Sequence, residues 1–410
     1  MNIAVAQSGG PTCAINSSLT GIVKEARQNN IEKIYGVKNG IDGVMNERFC
    51  DLGALLSTEE KMKLLRETPS TALGSCRIKL EEVSFHPALY QTIFANLEKR
   101  GIGAFFYIGG NDSMDTVKKL HDYSVQSGSG IKFIGVPKTI DNDLPETDHT
   151  PGFGSAAKYL ATTVKEIICD SNVYNLCSVT IIEIMGRDAG WLTASTSILR
   201  AHCGGAPHLV YLPEKPFRIE KFLNDITRLH KTKKAVIVAV SEGLKNENGE
   251  YIAAAHQSGK CDVFGHKYLS GLGKFLEHQV EVSIGCKVRS VELNVCQRCA
   301  AHIASVTDLD EAENIAAAAV RASLSGKSGV MMTIRRVSNT PYKVEYNSVD
   351  VKLCANRERR FPSEWINGDS NNILAEANDY FLPLIQGEVN IRYENGIPLH
   401  FNIYDEDWTF

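Results

Sequence analysis

Short apolar runs recur along the 410-residue chain, and each is followed by a polar turn and then by an amphipathic stretch. The first run, residues 3–6, precedes the turn Ser8-Gly9-Gly10-Pro11 and a helical pattern over about residues 13–28. Strands that are apolar on both faces and alternate with helices are typical of parallel sheets covered on both sides. The pattern therefore predicts an α/β fold built from parallel-rich, three-layer units.

The same pattern returns at residues 104–108, 132–136, 179–185 and 235–240. Ligands of such folds bind at the carboxyl ends of the strands, and a polar motif stands at every one of these ends. At roughly 150 residues per domain, the length fits two lobes facing each other across a cleft. Residues 329–337 and 342–346 predict further strands, which lead into a C-terminal extension.

Composition excludes several classes of protein. The 44 basic and 48 acidic residues nearly balance, at a net charge of −4, so we expect no nucleic-acid partner bound through bulk positive charge. No apolar run approaches the ~18 residues of a membrane span, so we expect no membrane partner. The eleven cysteines are scattered, with no framework spacing and no signal-peptide pattern before them, which predicts free thiols and a cytoplasmic location.

Two glycine turns are candidate anion sites. Paired glycines let backbone N–H groups approach a ligand closely, as in Ser8-Gly9-Gly10-Pro11-Thr12. The second turn, Gly109-Gly110-Asn111-Asp112-Ser113, adds an amide, a carboxylate and a hydroxyl, which suit phosphate oxygens and a hydrated magnesium ion. The alternatives left open are a tight strand-to-helix turn for the first motif and a helix cap for the second.

A third motif, Lys138-Thr139-Ile140-Asp141-Asn142-Asp143, carries two carboxylates two residues apart, which point to one side of an extended stretch. A carboxylate can take a proton from a substrate hydroxyl, and a lysine can neutralise a phosphoryl group in transfer. The alternative is that these carboxylates are only solvated or cap a helix.

Further charged residues stand at predicted strand ends or turns, where arginine suits phosphate through its planar fork. They are Met185-Gly186-Arg187, Ser241-Glu242-Gly243, Arg289 and Gln297-Arg298. Taken singly, each is more often a salt bridge than a site. The run Arg357-Glu358-Arg359-Arg360 is interpreted as a solvated face rather than as a binding patch.

Taken in order, these motifs resemble those of the phosphofructokinases over roughly residues 1–335. The resemblance implies two Rossmann-like lobes facing across an active-site cleft, one for the phosphoryl donor and one for fructose 6-phosphate. In ATP-using members the position of Asp112 is usually glycine and that of Lys138 is small. The pair of Asp112 and Lys138 resembles the pyrophosphate-dependent branch. A carboxylate at the position of Asp112 fills the space for the α-phosphate of a nucleotide and repels that phosphate.

The resemblance implies a role for each matching residue. Asp141 would be the general base on the 1-hydroxyl of the sugar, Lys138 would stabilise the transferring phosphoryl group, and Asp112 would exclude ATP. Pyrophosphate would be held by Gly10, Gly110, Ser113 and Arg77. Fructose 6-phosphate would be held by Thr139, Ile140, Asp141, Met185, Gly186, Arg187, Glu242, Arg289 and Arg298. Magnesium would lie near Asn111 and Asp143.

Three positions depart from the family pattern. Asn111 stands where the family has a magnesium carboxylate, and Ser178 and Val295 stand where it commonly has basic residues for the sugar phosphate. These departures put the metal site and the 6-phosphate site in doubt. Alternatives are an ATP-dependent phosphofructokinase and a non-catalytic regulatory subunit; a dinucleotide-binding dehydrogenase lacks its glycine fingerprint.

The expected organisation has three parts. Residues 1–155 with about 299–335 form the donor lobe, residues 156–298 form the fructose 6-phosphate lobe, and residues 336–410 form an extension packed on both. A homo-oligomer, dimer or tetramer, is expected from the resemblance, with Arg289 as a possible donor across the subunit boundary.

Overall fold

The computed structural model describes residues 1–76, 78–253 and 271–402. Its strands are β1 (Asn2–Gln7), β2 (Ile34–Val37), β3 (Phe49–Asp51), β4 (Ile102–Gly109), β5 (Lys132–Pro137), β6 (Ser178–Ile184), β7 (Leu209–Tyr211), β8 (Ala235–Ser241), β9 (Lys287–Glu292), β10 (Val330–Asn339), β11 (Tyr342–Asp350), β12 (Tyr393–Glu394) and β13 (Ile397–Pro398).

The helices are α1 (Ile15–Gln28), α2 (Gly40–Met45), α3 (Leu52–Leu55), α4 (Glu59–Arg66), α5 (Pro87–Glu98), α6 (Asn111–Ser127), α7 (Phe153–Ser171), α8 (Trp191–Ser195), α9 (Ile219–His230), α10 (Leu272–Ile284), α11 (Cys296–Cys299), α12 (Val306–Leu324) and α13 (Asn378–Phe381). Short 3-10 helices lie at Thr196–Ala201, Ala301–Ile303, Val351–Leu353, Ser363–Trp365, Ala375–Ala377 and Leu382–Ile385.

Two of the three sheets within the described residues organise the fold, and the third is only the pair β12 and β13. The first has seven strands in the order β11-β10-β5-β4-β1-β2-β3, and the second has four in the order β7-β8-β6-β9. All pairs of the second sheet are parallel, whereas β3 and β11 join the first sheet antiparallel at its two edges. The predicted parallel-rich α/β fold is confirmed.

Both sheets are covered on both faces. Ile3 and Val5 of β1 pack into one apolar cluster with α1 and α12, while the intervening Ala4 and Ala6 pack into another with α5 and α6. The second sheet divides in the same way: Ile182 faces α7 and α8, and alternate residues of β6 and β8 face α9 and α10. The near-continuous apolar runs of the strands are explained by this double burial.

The C-terminal extension joins the first sheet and packs on the second. β10 runs past residue 335, the boundary expected from the sequence, and β11 then turns back along it. Beyond β11, the chain crosses to the second sheet, where Phe361, Ile366, Ile373 and Phe381 join the cluster formed with α7 and α8. The extension is therefore part of the core rather than an appended tail.

Candidate active site

The polar motifs gather at the carboxyl ends of β5, β4 and β1, which are neighbours in the first sheet. Ser8 follows β1, Gly110 follows β4 and Lys138 follows β5. Ser113, in the first turn of α6, donates its hydroxyl to the Ser8 hydroxyl at 3.0 Å, which joins the two glycine turns. Parallel neighbours end at the same edge of a sheet, so this clustering follows from the topology.

Lys138 is buried between the motifs, with only 2% of its surface exposed. Its Nζ donates to the Gly10 main-chain oxygen at 2.6 Å. A Cβ at Gly10 would lie 3.3 Å from the Arg298 Nη1, so the ammonium of Lys138 and the guanidinium of Arg298 both approach this turn. Burial lowers the pKa of Lys138 to about 8, although Asp141 opposes the shift. A buried ammonium at a glycine turn is suited to an anionic ligand.

Asp141 lies beside this lysine on the turn that follows β5. Its backbone N–H donates to the Thr139 hydroxyl at 3.1 Å. Burial raises the pKa of Asp141, while the charges of Arg187 and Lys138 act in the opposite direction. The carboxylate is thus held between cations from both sheets, which suits a base that must be ionised to act.

Asn111 and Asp143 form a pair next to Asp141. The Asn111 Nδ2 donates to Asp143 Oδ2 at 3.0 Å, while the buried Asn111 Oδ1 has no hydrogen-bond partner among the described residues. Burial, with the nearby Asp141 charge, raises the pKa of Asp143 to about 7. An oxygen aimed at no protein donor is available for a cation or its water.

The second sheet contributes the turns after β6 and β8. Glu242 Oε1 accepts from the Gly186 N–H at 3.3 Å, and the Met185 N–H donates to the Gln297 side-chain oxygen at 3.1 Å. The Arg187 Nε is buried and has no partner within the described residues, an observation that favours a ligand. Burial raises the pKa of Glu242 to about 7.

Not all of the predicted site residues face this cleft. The Ile140 side chain is 6% exposed and packs in the apolar cluster of the second sheet, so only its main chain is available to a ligand. Asp112 lies in the first turn of α6, beside the second glycine turn. Arg77 lies outside the described residues.

Arg289 is not brought to the other predicted residues within this chain. It lies early in β9, in register with Thr180, whereas the site is at the carboxyl end of this sheet. Its guanidinium bonds to Asp170 at 2.9 Å, in an ion pair whose side chains are 41% and 64% exposed. Within one chain, Arg289 is therefore separated from Lys138 and Arg298, and its role as a phosphate donor across a subunit boundary stays a prediction.

Sequence reasoning missed one contributor, Arg359 of the C-terminal extension. The run that contains it was interpreted as a solvated face, but the Arg359 guanidinium donates to the Asn142 main-chain oxygen at 2.9 Å. An irregular segment carries no periodic pattern, so the sequence held no signal for this long-range contact.

The polar turns of the two sheets define a class: an α/β protein that gathers cations and carboxylates at the carboxyl ends of its parallel strands. A family model described as Phosphofructokinase matches residues 2–323. The chain belongs to the phosphofructokinase family, and the resemblance drawn from the motifs is confirmed.

Similar proteins carry informative names. A pyrophosphate–fructose 6-phosphate 1-phosphotransferase of Halomonas elongata is 37% identical over 403 residues, covering 97% of this chain and 94% of the relative. The crystal structure of a pyrophosphate-dependent phosphofructokinase from Marinobacter aquaeolei matches with a TM-score of 0.86 at 34% identity, covering 98% of this chain and 95% of that one. A sulfofructose kinase of Alkalicoccus urumqiensis is 31% identical over 380 residues, covering 90% of this chain and 95% of the relative.

Two remaining observations concern the setting of the site. Of the helices that the structure describes, none combines the length and apolar character needed to cross a membrane. The cysteines within residues 1–76, 78–253 and 271–402 are free thiols, as predicted.

Proposed function

We propose that the protein catalyses the reversible transfer of a phosphoryl group from pyrophosphate to the 1-hydroxyl of fructose 6-phosphate. The products are fructose 1,6-bisphosphate and phosphate, a step of glycolysis. The names of the Halomonas and Marinobacter proteins support this function. The observation that carries it is the buried Lys138 ammonium, bonded to the Gly10 turn and adjacent to the Asp141 carboxylate.

The donor is selected by Asp112 and Lys138. Asp112 adds a negative charge at the start of α6, where a nucleotide would place its α-phosphate. Pyrophosphate has no such group, so it avoids the repulsion. Its leaving phosphate carries more charge per atom than ADP, and the Lys138 ammonium stabilises that charge. Gly10, Gly110, Ser113 and Arg77 complete the donor site.

The transfer needs one base and several fixed cations. Asp141 accepts the proton of the 1-hydroxyl as the sugar oxygen bonds to the phosphorus, the bridging P–O bond breaks, and phosphate leaves with the electron pair. Lys138 and Arg298 stabilise the charge on the oxygens around phosphorus. Catalysis is mainly positioning and electrostatic stabilisation, as in other phosphoryl transfers.

Magnesium fits this site through few protein ligands. The unpartnered Asn111 Oδ1 and the neighbouring Asp143 would hold a hydrated ion that is also bound to pyrophosphate. Among the described residues, no group of three or more His, Cys, Asp and Glu could form a complete protein cage. When bound, the ion supplies charge neutralisation to the phosphates. Asn111 and Asp143 then orient its water shell.

The acceptor sugar is held by the second lobe, residues 156–298. Met185, Gly186, Arg187, Glu242 and Arg298 of this lobe bind the sugar, together with Thr139, the Ile140 main chain and Asp141 from the turn that follows β5 of the first sheet. The Arg187 Nε supports this assignment, because it is a buried donor in the turn after β6 that has no partner among the described residues. Residues 1–155 with about 299–335 form the donor lobe.

A homo-oligomer completes the sugar phosphate site. Arg289 lies on the outside of its own chain in an exposed ion pair with Asp170, so it is available to the 6-phosphate bound by another copy. Ser178 starts β6 nearby and supplies no charge. The cytoplasm, where glycolytic substrates and reduced thiols occur together, is the proposed location.

A coupled assay with each donor tests the proposal. We expect turnover with magnesium, pyrophosphate and fructose 6-phosphate to exceed turnover with ATP at least ~100-fold. Repulsion between the Asp112 carboxylate and the α-phosphate of ATP at a desolvated site is worth roughly 3 kcal/mol. ATP turnover far above pyrophosphate turnover would establish the ATP-dependent alternative. No turnover with either donor would favour a regulatory subunit.

Asp112→Gly sharpens the test of donor choice. It should weaken pyrophosphate use and admit some ATP. Asp122→Gly, on the same helix but half-exposed, is the matched control for the cost of glycine in α6 and should keep the donor preference. An unchanged preference in Asp112→Gly shows that the exclusion argument is wrong.

A sulfofructose is the second candidate acceptor. The Alkalicoccus relative is named a sulfofructose kinase, and Ser178 and Val295 remove two basic residues from the expected 6-phosphate site. Assaying fructose 6-phosphate against its 6-sulfo analogue under identical conditions decides between them. A higher kcat/KM for the sulfo sugar would replace the proposed acceptor but leave the donor assignment intact.

A further inference from the structure

The C-terminal extension bonds directly to the turn that carries the proposed catalytic base. The Arg359 guanidinium donates to the main-chain oxygens of Asn142 at 2.9 Å and Thr147 at 2.8 Å, and also to that of Asp148. The Arg359 backbone N–H donates to the main-chain oxygen of Asp143 at 2.6 Å. One residue therefore satisfies four carbonyls of a single irregular loop.

The same residue contacts the second lobe. Its guanidinium carbon lies 4.4 Å above the centre of the Trp191 ring, and the Trp191 indole N–H donates to the Arg359 oxygen at 3.2 Å. Trp191 begins α8, four residues after Arg187. Arg359 thus connects the loop of Asp141 with the segment that carries a proposed sugar-binding arginine.

The loop needs such support because it has little regular structure of its own. Asn142 is fully buried with φ +55°, a left-handed conformation that asparagine adopts more readily than most residues but that its neighbours must hold in place. Buried carbonyls without partners would destabilise the loop. The Tyr380 hydroxyl provides a second support, since it accepts from Asn142 Nδ2 at 2.8 Å and donates to the Asp148 oxygen at 2.7 Å.

We propose that Arg359 is a positioning residue that holds the Asp141 turn in its catalytic geometry against the Arg187 segment. Its kinetic consequence rests on the proposed function. Arg359 acts through the main chain of the loop. The flanking Arg357 and Arg360 are exposed, so the effect is specific to one arginine of the run.

Arg359→Met and Arg359→Lys test the proposal, with the exposed Arg357→Met as the matched control. Because a displacement of about 1 Å costs on the order of 100-fold in rate, Arg359→Met should lower kcat ~10–100-fold. The KM for pyrophosphate should stay within about 3-fold, because Arg359 does not contact the donor turns. Lysine keeps the charge but cannot span the carbonyls, so the kcat of Arg359→Lys should lie between those of Arg359→Met and the unmodified enzyme.

Rescue separates positioning from general destabilisation. Millimolar guanidinium should restore part of kcat in Arg359→Met and leave Arg357→Met unchanged. A folded Arg359→Met enzyme with kcat within 3-fold of the unmodified enzyme overturns the proposal. If that variant does not fold, Arg359→Lys decides, because lysine keeps the charge but cannot reach all of these carbonyls: an unchanged kcat there also overturns the proposal.

Hydrogen exchange keeps this inference distinct from the proposed function. If the unmodified protein turns over neither donor, the proposed function fails, while the positioning claim is still tested by the backbone amides of residues 139–150. Arg359→Met should speed exchange in this segment and Arg357→Met should not. Equal exchange in both variants contradicts the claim.

Discussion

At the scale of single residues, the site contains ionisable groups whose pKa values burial moves toward pH 7. Desolvation disfavours the charged form, so it raises the pKa of the Asp141, Asp143 and Glu242 carboxyls and lowers that of Lys138. Nearby opposite charges reduce these shifts at Lys138 and Asp141. Groups whose pKa values lie near neutrality transfer and hold protons efficiently at the pH of the cell.

These shifts predict a bell-shaped pH dependence of kcat/KM with its maximum between about 7 and 8. Activity needs ionised carboxylates, so it falls as the pH drops through their raised pKa values, about 7 for Asp143 and Glu242. It needs the Lys138 ammonium, so it falls as the pH rises through about 8. Rates measured from pH 5.5 to 9.5 test this, and a flat profile contradicts it. In Lys138→Arg the loss of activity on the alkaline side should move to higher pH, because arginine keeps its proton.

Asp141→Asn tests the base itself. The amide keeps the shape of the side chain but cannot accept a proton, so kcat should fall by about 10²–10⁴-fold. Binding of fructose 6-phosphate, measured by calorimetry without donor, should change far less. Retention of most of the activity would show that Asp141 is not the base.

At the scale of elements, the alternation of strands and helices was predictable, because double burial of a strand leaves an unbroken apolar run. The predicted run at residues 104–108 is the centre of β4, and the helix predicted at about residues 13–28 is α1. The direction of Arg289 could not be predicted in the same way, since it depends on the register of β9 against β6. The support that Arg359 gives to the Asp141 turn depends on contacts more than 200 residues apart in the chain.

A third support, His149, links that loop to α12. His149 is 1% exposed and bonds to Asp148 at 2.7 Å and to Glu311 of α12 at 2.5 Å. Burial opposes the imidazolium, but the two carboxylates prevail and raise the pKa of His149 to about 9. A pKa that folding raises from 6.5 adds about 3 kcal/mol of stability, fully present below pH 6.5 and lost as the pH rises through 9.

His149→Gln should therefore destabilise the protein most at pH 6, and the difference in the free energy of unfolding should shrink steadily toward pH 9.5. Urea unfolding at several pH values measures this difference. The exposed His278→Gln is the matched control and should change stability by less than about 0.5 kcal/mol at any pH. A difference for His149→Gln that grows with pH contradicts the assignment of an imidazolium.

At the scale of the whole molecule, one copy of the chain assembles the cleft from its two sheets but leaves Arg289 outside it. The extension contributes to both sheets, with β11 on the first and Phe361 to Phe381 in the core of the second, so a single chain can hold its own cleft together. Arg289, in contrast, lies away from the carboxyl ends of the strands of its own chain, where the other site residues are. An exposed ion pair such as that with Asp170 contributes little stability and can be exchanged for a phosphate.

Mixing two inactive variants tests whether Arg289 acts across a subunit boundary. In a symmetric oligomer, a pair of one Asp141→Asn and one Arg289→Met subunit contains one site with both intact residues and one with neither. Random assembly of equal amounts should therefore restore about a quarter of the full activity at low fructose 6-phosphate, because half of the pairs are mixed. If Arg289 acts only within its own chain, the mixture keeps the average of the two separate activities, and unfolding and refolding the subunits together changes nothing.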